Sequence, residues 1–146
     1  MYKCKYFKIQ ELVSPIVYNS WGEQAWMFFD AETLKELDLI RETYGSPIII
    51  NNWLFGGDLK QCGLRSNVDE IPMTKTKNKK LYLSAHCMGK AFDLHCKKGN
   101  HKALFDMLYN MINTGRLKQF KRLENFASTK TWVHIDSFQS KIVIFS

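Results

Sequence analysis

The chain has no apolar run approaching the ~20 residues that a bilayer-spanning helix requires, so nothing in it reads as a transmembrane segment. A secretory leader is missing too: Met1-Tyr2-Lys3-Cys4-Lys5-Tyr6 is charged but leads into no apolar stretch. The expectation is a product made in the cytoplasm that reaches any other place by a route needing no signal of its own. Cys4, Cys62, Cys87 and Cys96 show no C-x-x-C spacing, and in a chain without a leader their default state is reduced, partly buried thiols. Internal repeats and low-complexity linkers are absent, which leaves one domain over residues 1–146. No arginine-rich helix, finger spacing or aromatic-glycine RNA signature accompanies the positive charge, so nucleic-acid binding ranks below the readings developed next.

What is present is a globular composition, 45% apolar and 14% aromatic. A domain of 146 residues buries roughly two-thirds of its unfolded surface, enough for a core without covalent staples. The net charge of +7 gathers in Lys75-Thr76-Lys77-Asn78-Lys79-Lys80 and around Lys97, Lys98, Lys118, Lys121 and Arg122. Such an excess raises encounter rates with any polyanion, whether nucleic acid, an anionic wall polymer or a lipid headgroup layer, and equally serves as a solvated loop.

Two helices are well marked. Asp30 is an N-cap residue ahead of the stripe Leu34, Leu37, Ile40 and Tyr44, and Gly45 stops the helix. Asn100 opens a second, with Leu104, Met107, Leu108, Met111 and Ile112 on one face before Gly115. Residues 47–51, 90–95, 120–125, 131–137 and 141–145 read as strands, with 120–125 and 131–137 forming a hairpin, and Ser66 to Lys80 as a long surface loop. Strands and helices come in mixed order without β-α-β alternation. The predicted class is α+β, a mainly antiparallel sheet flanked by helices.

The densest polar constellation is Ser84-Ala85-His86-Cys87-Met88-Gly89-Lys90-Ala91-Phe92-Asp93, where a histidine leads through glycine into an apolar strand carrying one acid. A carboxylate there is costly unless paired or bound to metal. In Trp132-Val133-His134-Ile135-Asp136, His134 and Asp136 share a strand face. Two imidazoles and a carboxylate form a common zinc set with a fourth position open, and spacing alone equally allows core histidines with hydrogen-bond partners.

The stretch Ser84 to Asp93 resembles the S-x-H-x-x-G-x-A-x-D pattern of the zinc D-Ala-D-Ala carboxypeptidases, a family that includes the vancomycin-resistance dipeptidases and the L-alanyl-D-glutamate endolysins of phages, with a fold shared by the hedgehog signalling domain. Residues 132–136 resemble its W-x-H-x-D motif, and Cys62-Gly63-Leu64-Arg65-Ser66 its S-G-x-R-S segment with cysteine in place of serine. Asn51-Asn52-Trp53 to Gly56-Gly57 is similar to the segment leading into that arginine in phage and prophage members. The resemblance covers roughly residues 47 to 137 and implies zinc held by His86, Asp93 and His134, with Arg65 on the scissile carbonyl or a substrate carboxylate and Ser84 at the rim. Arg65 as a surface turn residue, and Ser84 as a loop hydrogen bond, are the plain alternatives.

One position departs from the family pattern. The catalytic carboxylate normally lies three residues before the last histidine, and Thr131 stands there. Two acids could replace it. Glu124 would sit beside His134 if the hairpin pairs 124 with 134, and a one-residue slip would turn it away. An ion pair with Arg122 or Lys121 is its ordinary alternative. Asp136 could act directly or buttress a ligand histidine. Trp132 would wall a cleft or pack in the core, His95 is a spare ligand or a satisfied polar group, and His101 is expected to be exposed.

The resemblance thus implies a monomeric zinc peptidase acting on peptidoglycan stem peptides, with anionic envelope polymers as further partners. It would act at the bacterial cell wall once released by phage lysis or carried in a virion. The rival reading is a non-catalytic module kept for structure or binding, with Thr131 as its best support.

Overall fold

The computed structural model describes all 146 residues. Short N-terminal helices α1 (Ile9–Leu12) and α2 (Pro15–Trp21) precede a 3-10 stretch and the long helix α3 (Ala31–Tyr44); α4 (Glu70–Lys77) and α5 (His101–Asn113) follow. Five strands, β1 (Ile48–Ile49), β2 (Ala91–Cys96), β3 (Arg122–Glu124), β4 (Val133–Asp136) and β5 (Ile144–Phe145), form one sheet in the order β1-β2-β4-β3-β5. Every pairing is antiparallel except β3 with β5. The α+β class and the mainly antiparallel sheet are as the sequence predicts.

The two marked helices form for the reasons read from the chain. Asp30 accepts from the Glu32 amide, and Gly45 closes α3 in the left-handed region at φ 75°. Asn100 caps α5 through the Ala103 amide, and Leu104, Leu108 and Met111 turn inward. These side chains join Phe92, Leu94, Leu123, Val133 and Ile135 in a single core cluster on one face of the sheet. Each fully buried leucine contributes roughly 1.5–3 kcal/mol relative to exposure. The α3 surface also braces the chain around it. The Glu36 carboxylate accepts from the amides of Lys118, Gln119 and Phe120, fixing the approach to β3. Asp38 accepts from Tyr2 Oη and the amides of Lys5 and Tyr6.

The structure differs from expectation at two elements. The supposed loop from Ser66 to Lys80 contains α4, an eight-residue helix that buries only Pro72, too little to leave an apolar stripe. The first 29 residues hold α1 and α2, helices of four and seven residues stabilised by tertiary packing rather than by their own period.

Strand alternation then divides labour across the sheet. Phe92, Leu94, Val133, Ile135 and Leu123 face the helices, while Asp93, His134, Asp136, Arg122 and Glu124 face the other way.

Candidate metal centre

Sheet register brings the polar residues together. Asp93 is paired with His134 and Ala91 with Asp136 between β2 and β4, and Arg122 is paired with Asp136 between β3 and β4. Continuing that ladder by one step from Leu123↔Ile135 sets Glu124 opposite His134. Two rows result: Asp93, His134 and Glu124 in one, Ala91, Asp136 and Arg122 in the next.

His86 reaches the same place from a 3-10 turn, Ala85–Met88, whose N-cap is Ser84: the serine oxygen accepts from the His86 amide at 3.2 Å. Gly89 ends the turn at φ 68°, and a Cβ there would lie 2.7 Å from the Phe28 carbonyl oxygen. Only glycine passes that point without displacing backbone. The motif around Cys62 acts as a bracket. Cys62 O accepts from the Asp93 amide, Gly63 O accepts from His86 Nδ1 at 2.9 Å, and the Arg65 amide donates to His86 O. Cys62 thus serves through its backbone, and the exchange of serine for cysteine leaves this contact intact. Gly63 itself packs on Leu12, where a Cβ would be 2.1 Å from the carbonyl oxygen, so α1 holds the bracket in place.

A carbonyl oxygen only accepts, so His86 carries its proton on Nδ1 and presents the Nε2 lone pair to the cluster. Asp93 Oδ1 lies 3.4 Å from that Nε2 and 3.0 Å from His134 Nδ1. The opposite ring nitrogen of His134, Nε2, meets Asp136 Oδ2 at 2.9 Å. His86 Nε2, Asp93 Oδ1 and His134 Nδ1 are therefore the three atoms that converge, and all three residues are buried. Bonds of ~2.0–2.2 Å in a tetrahedral shell place donors about 3.3 Å apart. The three donor atoms lie within 4.8 Å of one another, close enough to converge on one divalent ion, and the donor set suits zinc among several others.

Electrostatics agree with a site built for positive charge. Burial alone would raise the Asp93 carboxyl, yet its contacts with His134, the closer partner, and with His86 outweigh it and hold the group well below the usual carboxylate range. Burial likewise pushes His134 down, but its bonds to Asp136 and Asp93 lift it to about 9. Asp136 is fully buried, and burial there is overcome by His134 and Arg122, so its pKa falls. Arg122 grips both Asp136 oxygens at 2.9 Å, and the Phe138 amide adds a further donor at 3.1 Å. Of the two roles the sequence left open for Asp136, its surroundings are those of a buttress behind His134.

The triad opens on a cleft of about 320 Å³ lined also by Arg65, Ser84, Glu124, Trp132 and Phe145. A second hollow of about 460 Å³ shares Arg65, Asp93 and Trp132 as lining and lies on their other side. Arg65 donates to Gln61 O, to Tyr82 Oη at 2.7 Å and to Asp93 Oδ2 at 3.4 Å. The last contact leaves Asp93 Oδ1 as the inward oxygen. Glu124 is half-buried in the cleft wall; the guanidinium of Arg122 is committed to Asp136 rather than to Glu124. Thr131 is exposed and lies outside the cleft lining.

His95 stands apart, its Nδ1 3.3 Å from Ile49 O, as a satisfied polar group. His101 is not the exposed residue expected: it is half-buried, and its Nε2 accepts from the Cys96 amide at 3.0 Å where the chain doubles back from β2 into α5. Sequence reasoning missed Gly63 as the partner of His86, Tyr82 as the support of Arg65, and Arg122 as the clamp on Asp136. Only the last carried a signal, since Arg122 and Asp136 face each other in the register that sets 124 opposite 134.

The four cysteines are free, and no helix is long and apolar enough to cross a membrane. Comparison with protein-family models, curated proteins and solved structures finds no match to this chain.

Proposed function

We propose that the chain is a zinc-dependent peptidase of the D-Ala-D-Ala carboxypeptidase and endolysin type, with that family's hedgehog-like fold, hydrolysing peptide bonds in peptidoglycan stem peptides. The observation that carries the proposal is the β3–β4 register, which sets a carboxylate with no arginine of its own, Glu124, across from His134 in the triad's cleft. When bound, a divalent ion supplies Lewis acidity, drawing charge from the scissile carbonyl and making water acidic enough to attack near neutral pH.

The chain's own residues supply the rest. Glu124 accepts the proton of the attacking water and returns it to the leaving amine nitrogen, the task that Thr131 cannot perform. Arg65 has five N–H groups and three are engaged internally, so the remainder donate to the oxyanion that develops on the carbonyl. Asp136 keeps the His134 Nε2 proton in place, which holds Nδ1 toward the ion. Trp132 and Phe145 wall the peptide, and the hollows on either side of Asp93 give its flanking residues room.

The test is mass spectrometry of purified stem peptides after incubation with the zinc-loaded protein, beside Glu124→Gln and His86→Ala. The expected result is new fragments from the wild type, a loss of 10²–10⁴-fold in rate with one zinc retained for Glu124→Gln, and loss of both zinc and fragments for His86→Ala. Zinc-loaded wild type that yields no fragments sinks the peptidase and leaves the non-catalytic module, with Thr131 as its reason.

A further inference from the structure

Between Glu70 and Ser84 the chain buries one residue, Pro72. The segment is tied down at both ends. Buried Asp69 accepts from Ser14 Oγ at 2.8 Å and from Ser66 Oγ at 2.9 Å, and Tyr82 Oη accepts from Arg65. Within residues 68–83 lie five of the sixteen large apolar side chains that the whole protein exposes, Val68, Ile71, Met73, Leu81 and Leu83, with Leu81 86% and Leu83 66% exposed. Lys75, Lys77, Lys79 and Lys80 lie between Met73 and Leu81, flanked by these apolar residues, and Glu70 is the only acid of the segment left in solvent.

We propose that this segment docks the protein on an anionic lipid bilayer surface. Its two kinds of side chain need two kinds of environment. Lysines are satisfied by any polyanion, but leucines exposed to this degree are covered only by a partner with an apolar interior. A bilayer offers both: headgroup phosphates take the lysines, and the acyl boundary takes Leu81, Leu83 and Met73 without a shaped pocket. Met73 and Lys77, four residues apart on α4, share the outward face of the helix. Because Leu83 also lines the cleft, docking through it brings the triad's mouth to the membrane surface. The inference does not depend on the peptidase reading, since it uses neither the ion nor turnover.

The experiment is flotation of the full chain with vesicles of phosphatidylglycerol and phosphatidylcholine in equal parts, against vesicles of phosphatidylcholine alone, at about 0.1 M salt. Binding to the anionic vesicles only is expected. Lys77→Glu/Lys80→Glu should weaken it by about 25-fold or more, at about fivefold for each surface lysine removed. Leu81→Ser/Leu83→Ser, at positions too exposed to matter for folding, should weaken it by about tenfold. Lys97→Glu/Lys98→Glu, the same change in charge at another site, should retain binding within a few-fold. Absence of binding by the wild type, equal loss in the two lysine pairs, or full binding by the leucine pair each overturns the proposal; the last would assign the lysines to polyanions in general.

Discussion

His134 lies between two carboxylates, Asp93 Oδ1 at 3.0 Å and Asp136 Oδ2 at 2.9 Å, with its pKa raised to about 9. Both ring nitrogens therefore carry protons at neutral pH in the metal-free protein, and an ion can reach Nδ1 only by displacing one. The magnitude follows: well below pH 9 the apparent affinity should fall by about tenfold for each pH unit, or about fiftyfold between pH 9 and pH 7. Calorimetric titration with zinc at pH 7, in buffers of different ionisation enthalpy, should report about one proton released from this site, falling to about a tenth of one at pH 10. The same groups set the stability of the metal-free protein. A raised histidine contributes stability that is complete below its unfolded value of 6.5 and lost as pH rises through about 9. Lowered Asp93 and Asp136 contribute stability that is present above 3.8 and lost as pH falls below it. Thermal melting without metal should thus peak between about pH 4 and 6.5 and decline toward pH 9, while excess zinc reverses the alkaline limb. A flat affinity from pH 6.5 to 9, with no proton release, would refute the paired-carboxylate reading of His134.

Two further outcomes test the supports of the site. Asp136→Asn should reduce zinc affinity by about 10–100-fold, read by competition with a chromophoric chelator, because the amide no longer holds the His134 Nε2 proton and Arg122 loses its partner. Gly89→Ala should destabilise the fold by about 1–3 kcal/mol in urea unfolding, since its φ of 68° and the Phe28 carbonyl 2.7 Å from the new Cβ both oppose it, and should lower zinc affinity by moving His86.

What the sequence discloses depends on whether a residue's role is local. Asp30 and Asn100 cap their helices through amides two and three residues on, and both ends are legible for that reason. His86, Asp93 and His134 are legible because turn, glycine and alternation place each one within its own segment. Glu124 is legible only conditionally: its direction depends on a register shared with β4, and a slip of one residue would have hidden it among the core leucines. Gly63 and Tyr82 act across 23 and 17 residues of chain, through a backbone carbonyl and a phenol that no local pattern singles out. The α1 and α2 helices escape notice for a related reason, since α2 buries only Val17 and has no stripe to display.

The arrangement has a logic of charge that no single motif carries. Two carboxylates, Asp93 and Asp136, flank one imidazole, and each is held from behind by an arginine, Arg65 or Arg122. The arginines fix the acids without occupying the space between them, because each contacts an oxygen or an edge turned from the triad's centre. A site meant only to bury two neutral histidines needs one acceptor for each, and His86 already has Gly63 O. The second acid and the two arginines are surplus to that need. They help to keep His86 Nε2, Asp93 Oδ1 and His134 Nδ1 aimed at one point, an arrangement that could hold a cation.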